Sequence, residues 1–246
     1  MLIKKITKTM GGWILKIFGS ETPYEIHCDG SSQVNIGRNV FLLDSVLTAS
    51  DDSVITIEDD VKITGYKIGV SGGRLRIGPG SILRQAEHYK PEIIIMNGQV
   101  DIDHHSLINA NILVRFNGAL KVGCYTAINQ GTMIRCDESI HIGDYVMISY
   151  ECRIFDTNTH QKLPPPIRRS RTTADFPSIG NEVEKPETSP VWIGDDVWIG
   201  ERAAIIKGAR VDNQATIGLG SVVAGYVPVA HTAIGNPARL ISPETK

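Results

Sequence analysis

The chain has 246 residues, of which 41% are hydrophobic and only 6% aromatic, and its 25 Lys and Arg against 27 Asp and Glu leave a net charge of −2. That length allows one large domain or two small ones. The balanced charge gives no sign of a polyanion-binding surface, so nucleic acid is not expected as a partner. No apolar run approaches the roughly 20 residues of a membrane span and no signal peptide is evident, so a cytoplasmic protein is expected. Cys28, Cys124, Cys136 and Cys152 form no CxxC pair and read as small, partly buried residues of a reducing compartment.

Residues 1–19 place Leu2, Ile6, Met10, Trp13 and Ile17 at spacings of three or four, with Lys4, Lys5, Lys8 and Lys16 and no acid. This predicts a short N-terminal helix within a capping segment, residues 1–31, that covers the open first edge of the repeat domain. A second reading of the same basic amphipathic pattern is peripheral contact with the inner face of a membrane. Gly11 and Gly12 weaken a continuous helix in either case.

From residue 36 a motif of the type IGxxV recurs, beginning at Ile36, Ile57, Ile77, Ile102, Val122 and Ile142. From Ile193 the beat tightens to every sixth residue: Ile199, Ile205, Val211, Ile217, Val223, Val229, Gly235 and Ile241. A period of six is neither helical nor that of a plain strand. It predicts a hexapeptide-repeat parallel β-helix, in which each unit is a short strand plus a turn and three units close one coil of about 18 residues. Eight or nine coils are expected between Ser32 and Pro228, with the domain spanning residues 32–241 and a tail at 242–246. The aliphatic positions should stack inward, and so should the small residue four places later (Val40, Val61, Ser81, Ser106, Thr126, Val146, Val197, Ala203, Ala209, Ala215, Ser221).

The beat breaks after Ile154. Residues 155–190 contain three consecutive prolines, a mostly basic cluster (Arg168, Arg169, Arg171 with Asp175) and no apolar period, and are expected to leave the solenoid as one long excursion loop, a kind of segment that is usually functional. His160 stands at its root. An imidazole titrates near neutrality and suits general-base chemistry. The other repeat-region histidines, His104, His105 and His141, do not recur with His160 at a full-coil offset, so a metal site is not expected.

With the loop histidine, Asn129 and Asp137 one coil earlier, VWIG after the loop, and GNPARLI from Gly235, the chain resembles the hexapeptide-repeat acyltransferases that use acetyl-CoA. Within them it is most similar to the sugar O-acetyltransferases of the galactoside, maltose, capsule and polysialic acid branch. The match covers roughly residues 120–241, and residues 32–119 share only the repeat.

The resemblance implies a left-handed coil, a homotrimer with active sites between subunits, acetyl-CoA as co-substrate without a metal, and a glycan acceptor such as a capsular polysaccharide or O-antigen sugar. It assigns His160 as general base, and Asn129, Asp137 and Trp198 to the acceptor; apart from the resemblance, Asp156, Asn158 or Glu151 is placed to orient the imidazole, as a third group often does. The backbone amides of Glu201 and Leu219 are assigned to the pantetheine arm. Where relatives carry Thr-Lys, this chain has Ala224-Gly225, so Lys207 or Arg239 is expected to meet the CoA phosphates. Counted from Asp137, His160 lies one residue further along than in galactoside acetyltransferases. Two other readings stay open: an N-acetyltransferase of a nucleotide-linked amino sugar, and a scaffold without activity.

Overall fold

The computed structural model describes residues 3–9, 12–18, 24–85, 90–178 and 184–241; the expected tail at 242–246 lies outside them. The protein is an all-β solenoid of about nine turns with one short helix. One face shows the count directly: nine strands, from Gln33–Ile36 to Tyr226–Val227, pair in chain order with one contributed by each turn. Their register aligns Ile36, Ile57, Ile77, Ile102, Val122 and Ile142, and the column continues through Ile193 and Val211 to Val227. All but Val227 are residues that carry the sequence beat. All these ladders are parallel, so each strand meets the equivalent strand of the next turn and the aliphatic column is continuous through the interior.

The second inward row stacks as its size predicts. Val61, Ser81, Ser106, Thr126, Val146, Val197, Ala203, Ala209, Ala215 and Ser221 are all buried, while Val40 packs partly buried against the core. The hydroxyl residues among them are satisfied across turns: Ser81 Oγ donates to Asp103 O at 2.8 Å, Ser106 Oγ to Gly123 O at 2.7 Å and Thr126 Oγ1 to Gly143 O at 2.8 Å. A buried hydroxyl without such a partner carries a desolvation penalty of about 1–3 kcal/mol. The close approach of turns also explains a glycine column: a Cβ on Gly143 would lie 2.7 Å from Gly194 C, and one on Gly194 would lie 2.8 Å from Asn213 N.

The two ends differ from expectation. Instead of a helix, β1 (Ile3–Thr9) and β2 (Gly12–Phe18) form an antiparallel hairpin, and β2 pairs antiparallel with β3 (Tyr24–Asp29). β3 in turn runs parallel to Val46–Ser50. The first coil leaves a row of unpaired backbone groups, and a hairpin satisfies them where a helix would not. The side chains on which the amphipathic and membrane readings rest lie outside the described residues. At the other end the six-residue beat stops early. The aligned column ends at Val227, while Val229 and Ile241 are exposed. There, Thr232–Gly235 and Ala238–Ile241 form a closing antiparallel hairpin.

Candidate functional site

Between Arg153–Phe155 and Val191–Ile193 the described residues add no strand to the ladders, and the stack continues without skipping a turn. Arg153–Phe155 pairs with residues 133–135 above it and, through Arg153 and Ile154, with Ala204–Ile205 below. The next strand of the nine-stranded face, Val191–Ile193, stacks directly on Ser139–Ile142. Between these points α1 (Pro165–Asp175) forms a helix with no buried residue, begun by prolines at its first positions. Proline suits that place because its fixed φ is helical and its missing N–H has no partner there anyway. The proline run is the one sequence signal for this helix, since it carries no apolar period.

The root of this segment is held by short polar contacts. Asp156 has no exposed surface, and its carboxylate accepts the backbone N–H groups of Asp137, Glu138 and Ser139 at 2.8, 2.8 and 2.7 Å. Burial pushes its pKa above the ordinary carboxylate value, and the amides pull the other way without prevailing. Thr157 bridges Thr188 in antiparallel fashion. Asn158 donates from its backbone N to Glu187 O and from Nδ2 to Glu187 Oε2, both at 3.0 Å. Lys207 Nζ donates to Glu187 Oε1 at 2.8 Å. That hydrogen bond, followed by the lysine charge, holds the Glu187 carboxyl below its usual value. His160 is exposed, and its backbone N donates to Asn158 O at 2.8 Å.

The other expected site residues fall into distinct groups. Asn129 is half-buried and donates from Nδ2 to Ile148 O at 2.9 Å. Trp198 is 57% exposed and stands in the outward row with Met147 and Thr216. Along one coil this strand comes first, then the corner at Glu201 and Arg202, then Ala204–Ile205, then the corner at Lys207. His160 therefore departs from a corner one full face away from Trp198. Within one chain the structure joins the root of His160 to Lys207 and leaves Asn129 and Trp198 elsewhere.

Asp137 does not fit the role expected of it. It has no exposed surface, and its two carboxylate oxygens accept Arg115 Nε at 3.0 Å and Nη2 at 2.8 Å. The sequence hides this buried bidentate pair because the two residues lie 22 apart, and only the apolar positions advertise one-coil spacing. The three candidate orienters divide likewise. Glu151 is paired with Arg202 at 2.8 Å on the Glu201 corner, Asp156 is committed to the three amides, and Asn158 holds the backbone of His160.

On the side expected to hold the thioester donor, Glu201 and Leu219 lie one turn apart. Gly220 N donates to Glu201 O at 2.8 Å, and a Cβ on the neighbouring Gly200 would lie 2.7 Å from Leu219 N. Leu219, Ala224, Gly225 and Arg239 are exposed, and a Cβ on Gly220 or Gly225 would meet nothing within 4 Å. Space and two cations, Lys207 and Arg239, are thus present, although the Lys207 charge is already shared with Glu187. An aromatic column that the sequence reading did not single out stands at the corner preceding the strands of Met147 and Trp198. His105, Tyr125 and Tyr145 stack along one corner, with ring centroids 5.1 and 5.4 Å apart, and their 20-residue spacing is the sequence signal for it. Among the described residues no group of three His, Cys, Asp or Glu converges at metal-binding distance, and no helix is long and apolar enough to cross a membrane.

No family model matches the chain. Over 63 residues it is 40% identical to the 2,3,4,5-tetrahydropyridine-2,6-dicarboxylate N-acetyltransferase of Staphylococcus aureus (strain JH9), a stretch that is 26% of either chain. The chain thus spans about a quarter of the length of the curated relatives it matches. Among solved structures, the polySia specific acetyltransferase NeuO superposes with a TM-score of 0.59 at 21% identity, covering 89% of this chain and 85% of that one. The polysialic acid O-acetyltransferase OatWY superposes with a TM-score of 0.52 at 17% identity, covering 84% and 88%. The chain has the fold of these acetyltransferases. These three matches, one in sequence and two in structure, are named acetyltransferases, which agrees with the resemblance read from the loop histidine and VWIG.

Proposed function

We propose that the protein is an acetyl-CoA-dependent O-acetyltransferase acting on a hydroxyl of a glycan, such as a capsular polysaccharide or O-antigen sugar, with His160 as general base. The observation that carries this reading is the placement of an exposed imidazole on a clamped turn, at the point where a solenoid of the polysialic acid acetyltransferase fold interrupts itself. A free alcohol is a weak nucleophile, and an aligned base corrects that. In the proposed reaction His160 accepts the proton of the acceptor hydroxyl as its oxygen attacks the thioester carbonyl. The tetrahedral intermediate then collapses, the C–S bond breaks, and the imidazolium returns the proton to the departing CoA sulfur. No acyl-enzyme is required. The amides of Glu201 and Leu219 are proposed to grip the pantetheine arm, with Ala224 and Gly225 leaving room and Lys207 or Arg239 meeting the phosphates.

Asn129 and Trp198 are proposed to meet the acceptor, the indole packing against sugar C–H surfaces. Because they lie a full face from His160 in one chain, the reading takes the assembly as a homotrimer of left-handed coils, in which a neighbouring copy brings its acceptor face to this loop. The excursion at 155–190, with Arg168 and Arg169 exposed on α1, suits a bulky or anionic acceptor.

N-acetyl transfer to an amine is the second reading, favoured by the 40% identical stretch. The two separate chemically: with acetyl-CoA and a panel of glycans and amino sugars, an O-acetyl product is lost in mild alkali and an amide is not. His160→Ala is expected to lower turnover by about 10²–10⁴ with the melting temperature little changed, since the side chain is exposed. Near-normal turnover of that variant would remove His160 from the chemistry. Failure to acetylate any member of the panel would favour a non-catalytic solenoid.

A further inference from the structure

The turn that presents His160 is held at more points than a surface turn needs. Thr157, 5% exposed, accepts Thr159 N on its Oγ1 at 3.1 Å. Asn158 O accepts His160 N at 2.8 Å across Thr159, whose φ is +65°. A β-branched residue in the left-handed region is a steric outlier, and a turn closed from residue i to i+2 with positive φ is strained. Such strain persists where the surroundings over-determine the backbone, and it concentrates at functional positions. Here the surroundings converge on Glu187. It binds Asn158 twice, through its carbonyl and through Oε2, and its Oε1 is anchored by Lys207, whose side chain is only 25% exposed.

We propose that Glu187 is a positioning residue: by tying Asn158 to the solenoid wall at Lys207 it fixes the backbone from which the His160 ring departs. The inference rests on the reading of His160 as the base. Glu187 lies 27 residues after His160 in sequence, on the returning limb of the excursion, and acts through Asn158 on the departing limb. The same geometry links the clamp to the donor side, because a phosphate that drew Lys207 away would compete with Glu187 for its charge.

The test compares Glu187→Ala, Glu187→Gln, His160→Ala and the double variant His160→Ala/Glu187→Ala by steady-state kinetics, melting temperature and NMR of the histidine rings. Misplacing a base by about an ångström costs up to roughly 100-fold, so Glu187→Ala is expected to lower kcat by about 10- to 100-fold with KM for the acetyl donor no higher than in the wild type, since Lys207 loses its competitor. Glu187→Gln keeps one acceptor oxygen where the carboxylate uses two, so it can hold Asn158 or Lys207 but not both, and its kcat is expected to fall between those of Glu187→Ala and wild type. The double variant should be no slower than His160→Ala, because both changes act through one group. Wild-type turnover of Glu187→Ala, or a further equal loss in the double variant, overturns the proposal. If His160→Ala itself turns over normally, the base assignment fails instead. Glu187 is then judged by the His160 ring signal, identified by its loss in His160→Ala: a shift in Glu187→Ala confined to that signal upholds positioning, and an unmoved signal overturns it.

Discussion

Arg115 and Asp137 show how far a residue's type is from deciding its work. An Asp one coil before the loop is as plausible a sugar ligand as a structural anion until its surroundings are known. The solenoid places it where no water reaches, and a guanidinium from the preceding coil takes both oxygens. Arg115→Met would leave that carboxylate buried and unpaired, which typically costs about 3–5 kcal/mol; urea unfolding should show a loss of this order. His141 offers a second test. Its ring stacks on Trp192 with centroids 3.8 Å apart, and burial, followed by the nearby Lys121 charge, lowers its pKa below the ordinary value. The unfolded chain therefore takes up this proton at higher pH than the folded one, near pH 6.5. Stability should fall as pH drops from 7 through that value and level off, for this group, below the folded pKa. The melting temperature of His141→Phe should lack that part of the acid dependence.

At the level of elements, the solenoid strands are the most legible feature and the hairpin over the first edge the least. Leu2, Ile6, Met10, Trp13 and Ile17 satisfy a helical spacing, yet nothing in that spacing records that an unpaired strand, β3, awaits a neighbour. The free edge decides, since pairing β2 along β3 satisfies backbone groups that a helix would leave to water. A chain starting at residue 24 should expose that edge and self-associate with rising concentration in light scattering, because an open edge strand templates further pairing. Retention of the full chain's assembly size would show that the hairpin is dispensable as a cap. The helix α1 is hard to read for a related reason: with no buried face it carries no hydrophobic rhythm, and only its prolines announce it.

Across the whole molecule, stability is approximately a sum over turns and their interfaces. The aligned column from Ile36 to Val227 therefore predicts a gradient of mutational cost. Ile102, with no exposed surface, should cost about 2–5 kcal/mol when changed to Ala. Ile36, 42% exposed at the start of the column, should cost well under half of that. Equal losses at the two positions would contradict a core built by stacking. The same arrangement governs the candidate site, since successive strands of one coil face different directions. The strand that bears Trp198 and the strand from which the His160 segment departs belong to different ladders of the coil.

The repeat, its inward positions and the place where it breaks were determined by the sequence alone, because a six-residue period states which side chains turn inward whatever lies around them. Tertiary structure decided what the period does not encode: how each free edge is closed, which carboxylate is buried against which cation, and which corner each chemically suited side chain occupies. Those outcomes depend on contacts between residues a coil or more apart, where hydrogen-bond satisfaction and burial, rather than local pattern, set the energy.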